Sequence, residues 1–130
     1  VSSPYVLDAS ALLCLLNAEK GSEKVANVLP QSVTSSVNLS EVAAKLSDLG
    51  MDSDAITNAL IPLHLKIVAF DDANAIAAGT MRAVTRSAGL SFGDRACLAL
   101  AGSLGAPALT ADRAWKPVAK LLNIRIEFVR

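Results

Sequence analysis

The chain has 130 residues, 52% of them apolar, with acidic and basic side chains in equal number. That length supports one domain with a real core, and the apolar content excludes a disordered linker. Zero net charge excludes a generic polyanion binder, so any grip on nucleic acid must come from a local basic patch or a bound metal.

Tyr5-Val6-Leu7 reads as the first strand, behind Pro4, and Asp8-Ala9-Ser10 ends it. Ala11 to Leu16 continues as a short apolar helix, punctuated at Gly21. Ser22 to Leu29 predicts a helix stopped by Pro30, and Ser32 to Ser35 a strand. Asn38 opens a helix in which Leu39, Val42, Ala43 and Leu46 recur at helical spacing and which Gly50 closes. Another follows from Ser53 to about Leu63, with Pro62 near its end. Ile67 to Phe70 is a strand candidate. Asp72 then caps a helix through Ile76, Ala77, Thr80, Met81 and Val84 to Gly89.

Ser91 opens an Ala/Leu-rich helix that Gly105 closes, and Ala108 to Thr110 is a short strand after Pro107. Asp112 starts a helical stretch through Trp115 to Leu122. Ile124 to Val129 alternates apolar and charged residues, as a half-exposed edge strand does. Strands alternating with helices imply an α/β fold with a parallel sheet, in one domain over residues 1–130.

Four acids stand out. Asp8, Glu41, Asp94 and Asp112 each sit near an expected helix start, and strand ends lie close before Asp8 and Asp112. In a parallel sheet such positions meet at the C-terminal edge, where open α/β sheets place their sites. Carboxylates converging without cations suit a hard divalent ion, Mg²⁺ or Mn²⁺, and such ions commonly sit on phosphates. Ser10 and Thr110 stand two positions from Asp8 and Asp112, where hydroxyls can orient a carboxylate or a coordinated water. Each acid also has a plain reading. Asn38-x-x-Glu41 and Ser91-x-x-Asp94 have the form of capping boxes, and Asp8 and Asp112 the form of N-caps. Asp48, Asp52, Asp54, Asp71 and Asp72 read as caps or solvated surface.

Lys45 follows Glu41 by one helical turn, and Arg95 and Arg113 directly follow Asp94 and Asp112. With Arg82 and Arg86 they are candidates to hold a phosphate backbone; Arg95 and Arg113 could instead pair with neighbouring acids. Lys20 and Lys116 are further candidates that also read as solvated surface. His64, the only histidine, reads as structural or surface, which leaves Ser-His-Asp and Cys-His catalysis without support. Trp115 reads as a packing anchor. With Tyr5, Phe70, Phe92 and Phe128 it completes an aromatic set too small for a base-stacking platform. Cys14 and Cys97 lack metal-ligand spacing and read as buried reduced thiols of a cytoplasmic protein. No run approaches the roughly 18 apolar residues of a membrane span, and Val1-Ser2-Ser3-Pro4 lacks the pattern of a signal peptide.

Val6-Leu7-Asp8-Ala9-Ser10-Ala11-Leu12-Leu13 resembles the opening of PIN domains. Ser40-Glu41-Val42 resembles their second motif, the stretch from Phe92-Gly93-Asp94-Arg95 to Ala101 the third, and Leu109-Thr110-Ala111-Asp112-Arg113-Ala114-Trp115 the fourth. The motifs come in family order and span nearly the whole chain. The Gly-Asp-Arg and Thr-Ala-Asp-x-x-Trp forms look most like the ribonuclease toxins of VapBC toxin–antitoxin pairs.

This resemblance implies a three-layer α/β domain, its mostly parallel sheet of about five strands flanked by helices. It also implies an Mg²⁺- or Mn²⁺-dependent endoribonuclease, with Asp8 and Asp94 as main metal ligands. Glu41 would bind the metal or its water, and Asp112 would complete the pocket. Hydrolysis by metal-activated water would leave a 5′-phosphate. The implied partners are RNA, a small cognate antitoxin and a second copy in a homodimer. The helices from Leu39 to Leu49 and Ser53 to Leu63, richer in apolar residues than one face needs, would form part of a dimer or antitoxin surface. A receiver domain would need an acid pair after strand one, and a haloacid-dehalogenase-like phosphatase Asp-x-Asp there; Ala9-Ser10 provides neither. A non-catalytic module of the same fold, and an RNA-processing nuclease outside a toxin–antitoxin pair, remain as alternatives.

Overall fold

The computed structural model describes residues 4–130. Val1-Ser2-Ser3, within the segment expected to carry no signal peptide, lies outside the described residues. Five strands form one parallel sheet: β1 (Val6–Leu7), β2 (Val33–Ser35), β3 (Lys66–Val68), β4 (Ala108–Thr110) and β5 (Ile126–Phe128). Their order is β3-β2-β1-β4-β5. The chain builds outward from β1 to one edge and then returns to β4 on its other side. The β1/β4 boundary is therefore where the order reverses, and loops leaving those strands part to opposite faces and open a crevice.

Seven α-helices cover the sheet among the described residues: α1 (Ala9–Leu16), α2 (Ser22–Val28), α3 (Ser36–Asp48), α4 (Ser53–Leu60), α5 (Asp72–Thr85), α6 (Phe92–Leu104) and α7 (Val118–Leu122). Adjacent strand residues point to opposite faces, so each central strand feeds two cores. Val6 and Ala108 pack with Cys97, Leu98, Ala101 and Trp115 on one side. Leu7 and Leu109 pack with Leu12, Val25, Val42 and Leu46 on the other. A strand covered on both faces has no polar alternation to show, which is why Val6-Leu7 reads only as a short apolar run. None of the helices is long and apolar enough to cross a membrane.

Several boundaries move from the sequence reading. Asn38 does not open α3. Ser35 caps it, its Oγ accepting from the Val37 amide at 3.2 Å, so the last residue of β2 also starts the helix. Asp71, not Asp72, caps α5 through the Asn74 amide at 2.9 Å. The helix after Ser53 stops at Leu60 and gives way to a 3₁₀ turn containing Pro62. The stretch after Asp112 is a 3₁₀ turn, Arg113–Trp115, with α7 beginning only after Pro117. Trp115 is fully buried and anchors that turn in the core. His64 is an exposed residue in the left-handed region, closing the turn before β3. Both cysteines are buried and unpaired.

Candidate metal centre

Asp8 leaves the end of β1 and caps α1, so strand and helix fix it jointly. Its Oδ1 accepts from the Ala11 amide at 2.9 Å and from Ser10 Oγ at 2.7 Å, and its Oδ2 accepts from Thr110 Oγ1 at 2.6 Å. The two hydroxyls stand 3.2 Å apart. Ser10 Oγ also accepts from the Ala111 amide at 2.9 Å, and Thr110 Oγ1 from the Asp112 amide at 3.0 Å. This web stitches the start of α1 to the end of β4. Both hydroxyls thereby donate to the Asp8 carboxylate. Burial raises the Asp8 carboxyl to about 6, against the pull of its three hydrogen bonds and with the charge of Asp94 adding to the rise.

Asp94 is the third residue of α6 and completes the capping box expected from Ser91-x-x-Asp94. Its Oδ2 accepts from the Ser91 amide at 2.9 Å, and its own amide donates to Ser91 Oγ at 3.1 Å. Asp112 caps its 3₁₀ turn, Oδ1 accepting from the Ala114 amide at 2.9 Å. Glu41 lies in the second turn of α3, where Asn38 Nδ2 donates to its Oε1 at 2.8 Å. The expected Asn38-x-x-Glu41 box is thus absent: Asn38 is inside the helix and buried, too late in the chain to cap it.

All four acids line one cavity of about 390 Å³, together with Ala9, Ser10, Leu13, Ala44, Lys45 and Asp48. Capping and convergence on the cavity therefore coexist in Asp8, Asp94 and Asp112. Asp48, expected as a cap or solvated surface, lines the cavity too. Glu41, Lys45 and Asp48 follow helical spacing along α3, a signal the sequence did contain. The Cys97 thiol is pushed well up, first by burial and then by the charges of Asp8, Asp94 and Glu41.

Among the described cations, only Lys45 lines the cavity. Arg95 is buried, with Nη1 donating to the Ala78 carbonyl at 2.9 Å, so its guanidinium joins α6 to α5 and is not offered to a phosphate backbone. Arg113 lies over the Phe128 ring at 4.7 Å and donates to the Arg130 carbonyl at 2.8 Å. Neither pairs with its neighbouring acid: the ion pairs among the described residues are Lys24–Glu127 and Arg130–Glu19. Arg82, Arg86, Lys20 and Lys116 are exposed and lie outside the cavity lining.

The donor set suits a dication. Four carboxylates face one space, none is paired to a protein cation among the described residues, and Asp8 is buried without a counter-charge. Glu41 Oε2, Asp94 Oδ1 and Asp112 Oδ2 accept no hydrogen bond from the described residues. As placed, no three described His, Cys, Asp or Glu groups form a ready-made cage. The site is a set of separately anchored carboxylates.

The PIN domain family model matches residues 5–121. A search of curated protein sequences gives no match. Among solved structures, the chain is similar to the DNA-bound VapBC of Salmonella typhimurium, at 22% identity and TM-score 0.71, covering 99% of this chain and 100% of that one. It is also similar to VapBC2 of Rickettsia felis bound to a promoter DNA fragment, at 19% identity and TM-score 0.74, covering 95% and 97%. VapBC-5 of Mycobacterium tuberculosis, a member of the VapBC toxin–antitoxin family, matches at 20% identity and TM-score 0.63, covering 99% of both chains. At these identities the likeness shows the fold, while the family model covers most of the sequence: the chain belongs to the PIN domain family.

Proposed function

We propose that this protein is an Mg²⁺- or Mn²⁺-dependent endoribonuclease and the toxin of a toxin–antitoxin pair. The observation that carries the proposal is the convergence of Asp8, Glu41, Asp94 and Asp112 on one cavity at the β1/β4 switch point, none paired to a protein cation among the described residues. Asp8 and Asp94 would hold the ion, with Glu41 and Asp112 completing its surroundings. When bound, a dication supplies Lewis acidity for an in-line phosphodiester displacement and lets water attack near neutral pH.

The chain's own residues prepare that chemistry. Ser10 and Thr110 fix both oxygens of Asp8, so the main ligand needs no reorganisation. Lys45 sets a positive charge on the cavity wall, where it would meet a phosphate. A second cavity of about 440 Å³ shares Ser10, Leu13, Lys45 and Asp48 with the first and runs on past Asn17 and Leu49 to Arg130. The joined trough would carry the strand on either side of the cut.

The antitoxin would dock in the groove of about 590 Å³ between α3 and α4, where Leu39, Ala43, Met51, Ile56 and Leu60 form an apolar lining. The exposed apolar side chains elsewhere, Ile76 and Val84 on α5 among them, support association with a second copy.

The test is cleavage of a pool of structured RNAs with Mg²⁺, with Mn²⁺ and with EDTA, beside Asp94→Asn. Metal-dependent cutting that leaves 5′-phosphates and is lost in the variant is the expected result. A 2′,3′-cyclic phosphate product would overturn attack by water. The second reading is a non-catalytic binding module, favoured by the absence of a ready-made three-ligand cage among the described residues. Mn²⁺ binding by calorimetry with no cleavage of any RNA would select it.

A further inference from the structure

We infer that Asn38 and Gly93 form a socket that positions Glu41 for the dication, making both of them positioning residues. The inference rests on the metal-dependent activity proposed above. Glu41 needs such help more than the other acids. It is exposed, three rotatable bonds separate its carboxylate from the backbone, and among the described residues its one hydrogen bond comes from Asn38.

Asn38 is only 1% exposed. Its Nδ2 donates to Glu41 Oε1 at 2.8 Å and to the Gly93 carbonyl at 3.1 Å. Both partners are acceptors, so the amide has one workable orientation; turned over, Oδ1 would face two oxygens. That leaves Oδ1 buried with no partner among the described residues, an unfavourable arrangement that an apolar residue at the position would avoid. What the amide gains is the hold on Glu41. Gly93 acts from the opposite side. A Cβ there would overlap the Glu41 carboxylate, so the absence of a side chain lets the carboxylate lie against the first turn of α6. The residue after Gly93 is Asp94. One buried amide thus references the second acid of the cavity to the backbone that carries the third.

The experiment is an Mn²⁺ titration by calorimetry on the whole chain, with thermal melts in EDTA. It covers the wild type, Asn38→Ala, Gly93→Ala, Glu41→Gln, Asp94→Asn, and each of the first two variants combined with Glu41→Gln. Asn38→Ala and Gly93→Ala should each weaken Mn²⁺ binding by about 10- to 100-fold, the usual range for a group that orients a metal ligand. Neither should add much to Glu41→Gln, because their effect passes through that carboxylate. Gly93→Ala should melt no lower than the wild type, since alanine is the better helix former and Glu41 can swing away. If Asn38→Ala fails to fold, the Gly93 and Glu41 cycle decides alone. Glu41→Gln weakening Mn²⁺ while Asn38→Ala and Gly93→Ala do not, or full additivity in the doubles, overturns the socket and leaves the nuclease reading standing. A wild type that binds no Mn²⁺, or one unaffected by both Glu41→Gln and Asp94→Asn, overturns both.

Discussion

Asp8 and Glu41 carry the same charge on the same cavity, yet Asp8 is 5% exposed and accepts three hydrogen bonds while Glu41 is exposed and accepts one. The first is set by the fold itself, at the end of the central strand. The second hangs from a helix and relies on one neighbour. Substitutions at the strand end should therefore alter stability and chemistry together, whereas those on the helix should alter chemistry alone.

Asp8→Asn should break the comparison most sharply. The proposed nuclease should lose about three orders of magnitude in rate, several kcal/mol of charge stabilisation. The metal-free protein should nevertheless become more stable at pH 7. Folded Asp8 keeps its proton up to a pH of about 6, whereas the ordinary value is 3.8. Between those values the folded state binds more protons than the unfolded one. Stability present below the lower value is therefore lost as pH rises through the higher. The loss is on the order of 3 kcal/mol at most, and asparagine keeps the helix cap. Denaturant melts of both proteins in EDTA from pH 4 to 7 test this: the wild type should fall relative to the variant as pH rises. Curves that stay parallel would refute it.

Thr110→Val removes the shortest bond to Asp8 and should weaken Mn²⁺ binding by about 10-fold or more. Losing a bond to the charged form should also move the metal-binding midpoint to higher pH, a shift that calorimetry at several pH values would read. Lys45→Ala comes next. It should raise KM several-fold with kcat little changed, and lower the salt dependence of RNA binding by about one counterion. An equal fall in kcat would place Lys45 nearer the reacting phosphate. Arg113→Ala should do least. It removes a cation–π contact with Phe128 worth about 0.5–1 kcal/mol and should leave cleavage unchanged. Lost cleavage with an unchanged melt would return Arg113 to the list of RNA contacts.

Asp8, Asp94 and Asp112 were legible as capping positions because strand ends and helix starts are marked by local chemistry: an apolar run, then a capping residue. Glu41, in the second turn of α3, carries no such mark and stood out through the Asn-x-x-Glu pattern. The capping box at Ser91 and Asp94 was read for the same reason. Asn38 was misread because Asn-x-x-Glu looks like a cap wherever it stands. Only the position of β2 shows that Ser35 takes the cap and leaves Asn38 three residues inside the helix. Arg95 was misread because its burial depends on α5, a neighbour in space that adjacency to Asp94 does not reveal. Asp48 was legible through its spacing from Glu41 and Lys45, yet its place at a helix end suggested solvent.

The central strand is only Val6 and Leu7, with Asp8 next. Sliding it by one residue against β2 and β4 would turn Val6 and Leu7 each toward the wrong core and carry the carboxylate away from Ser10 and Thr110. A misregistered chain would thus lose its two hydrophobic interiors and the anchoring of Asp8 in one step. Folding here acts as a proofreading event: a chain that has sorted its apolar residues correctly has already seated the Asp8 carboxylate between Ser10 and Thr110.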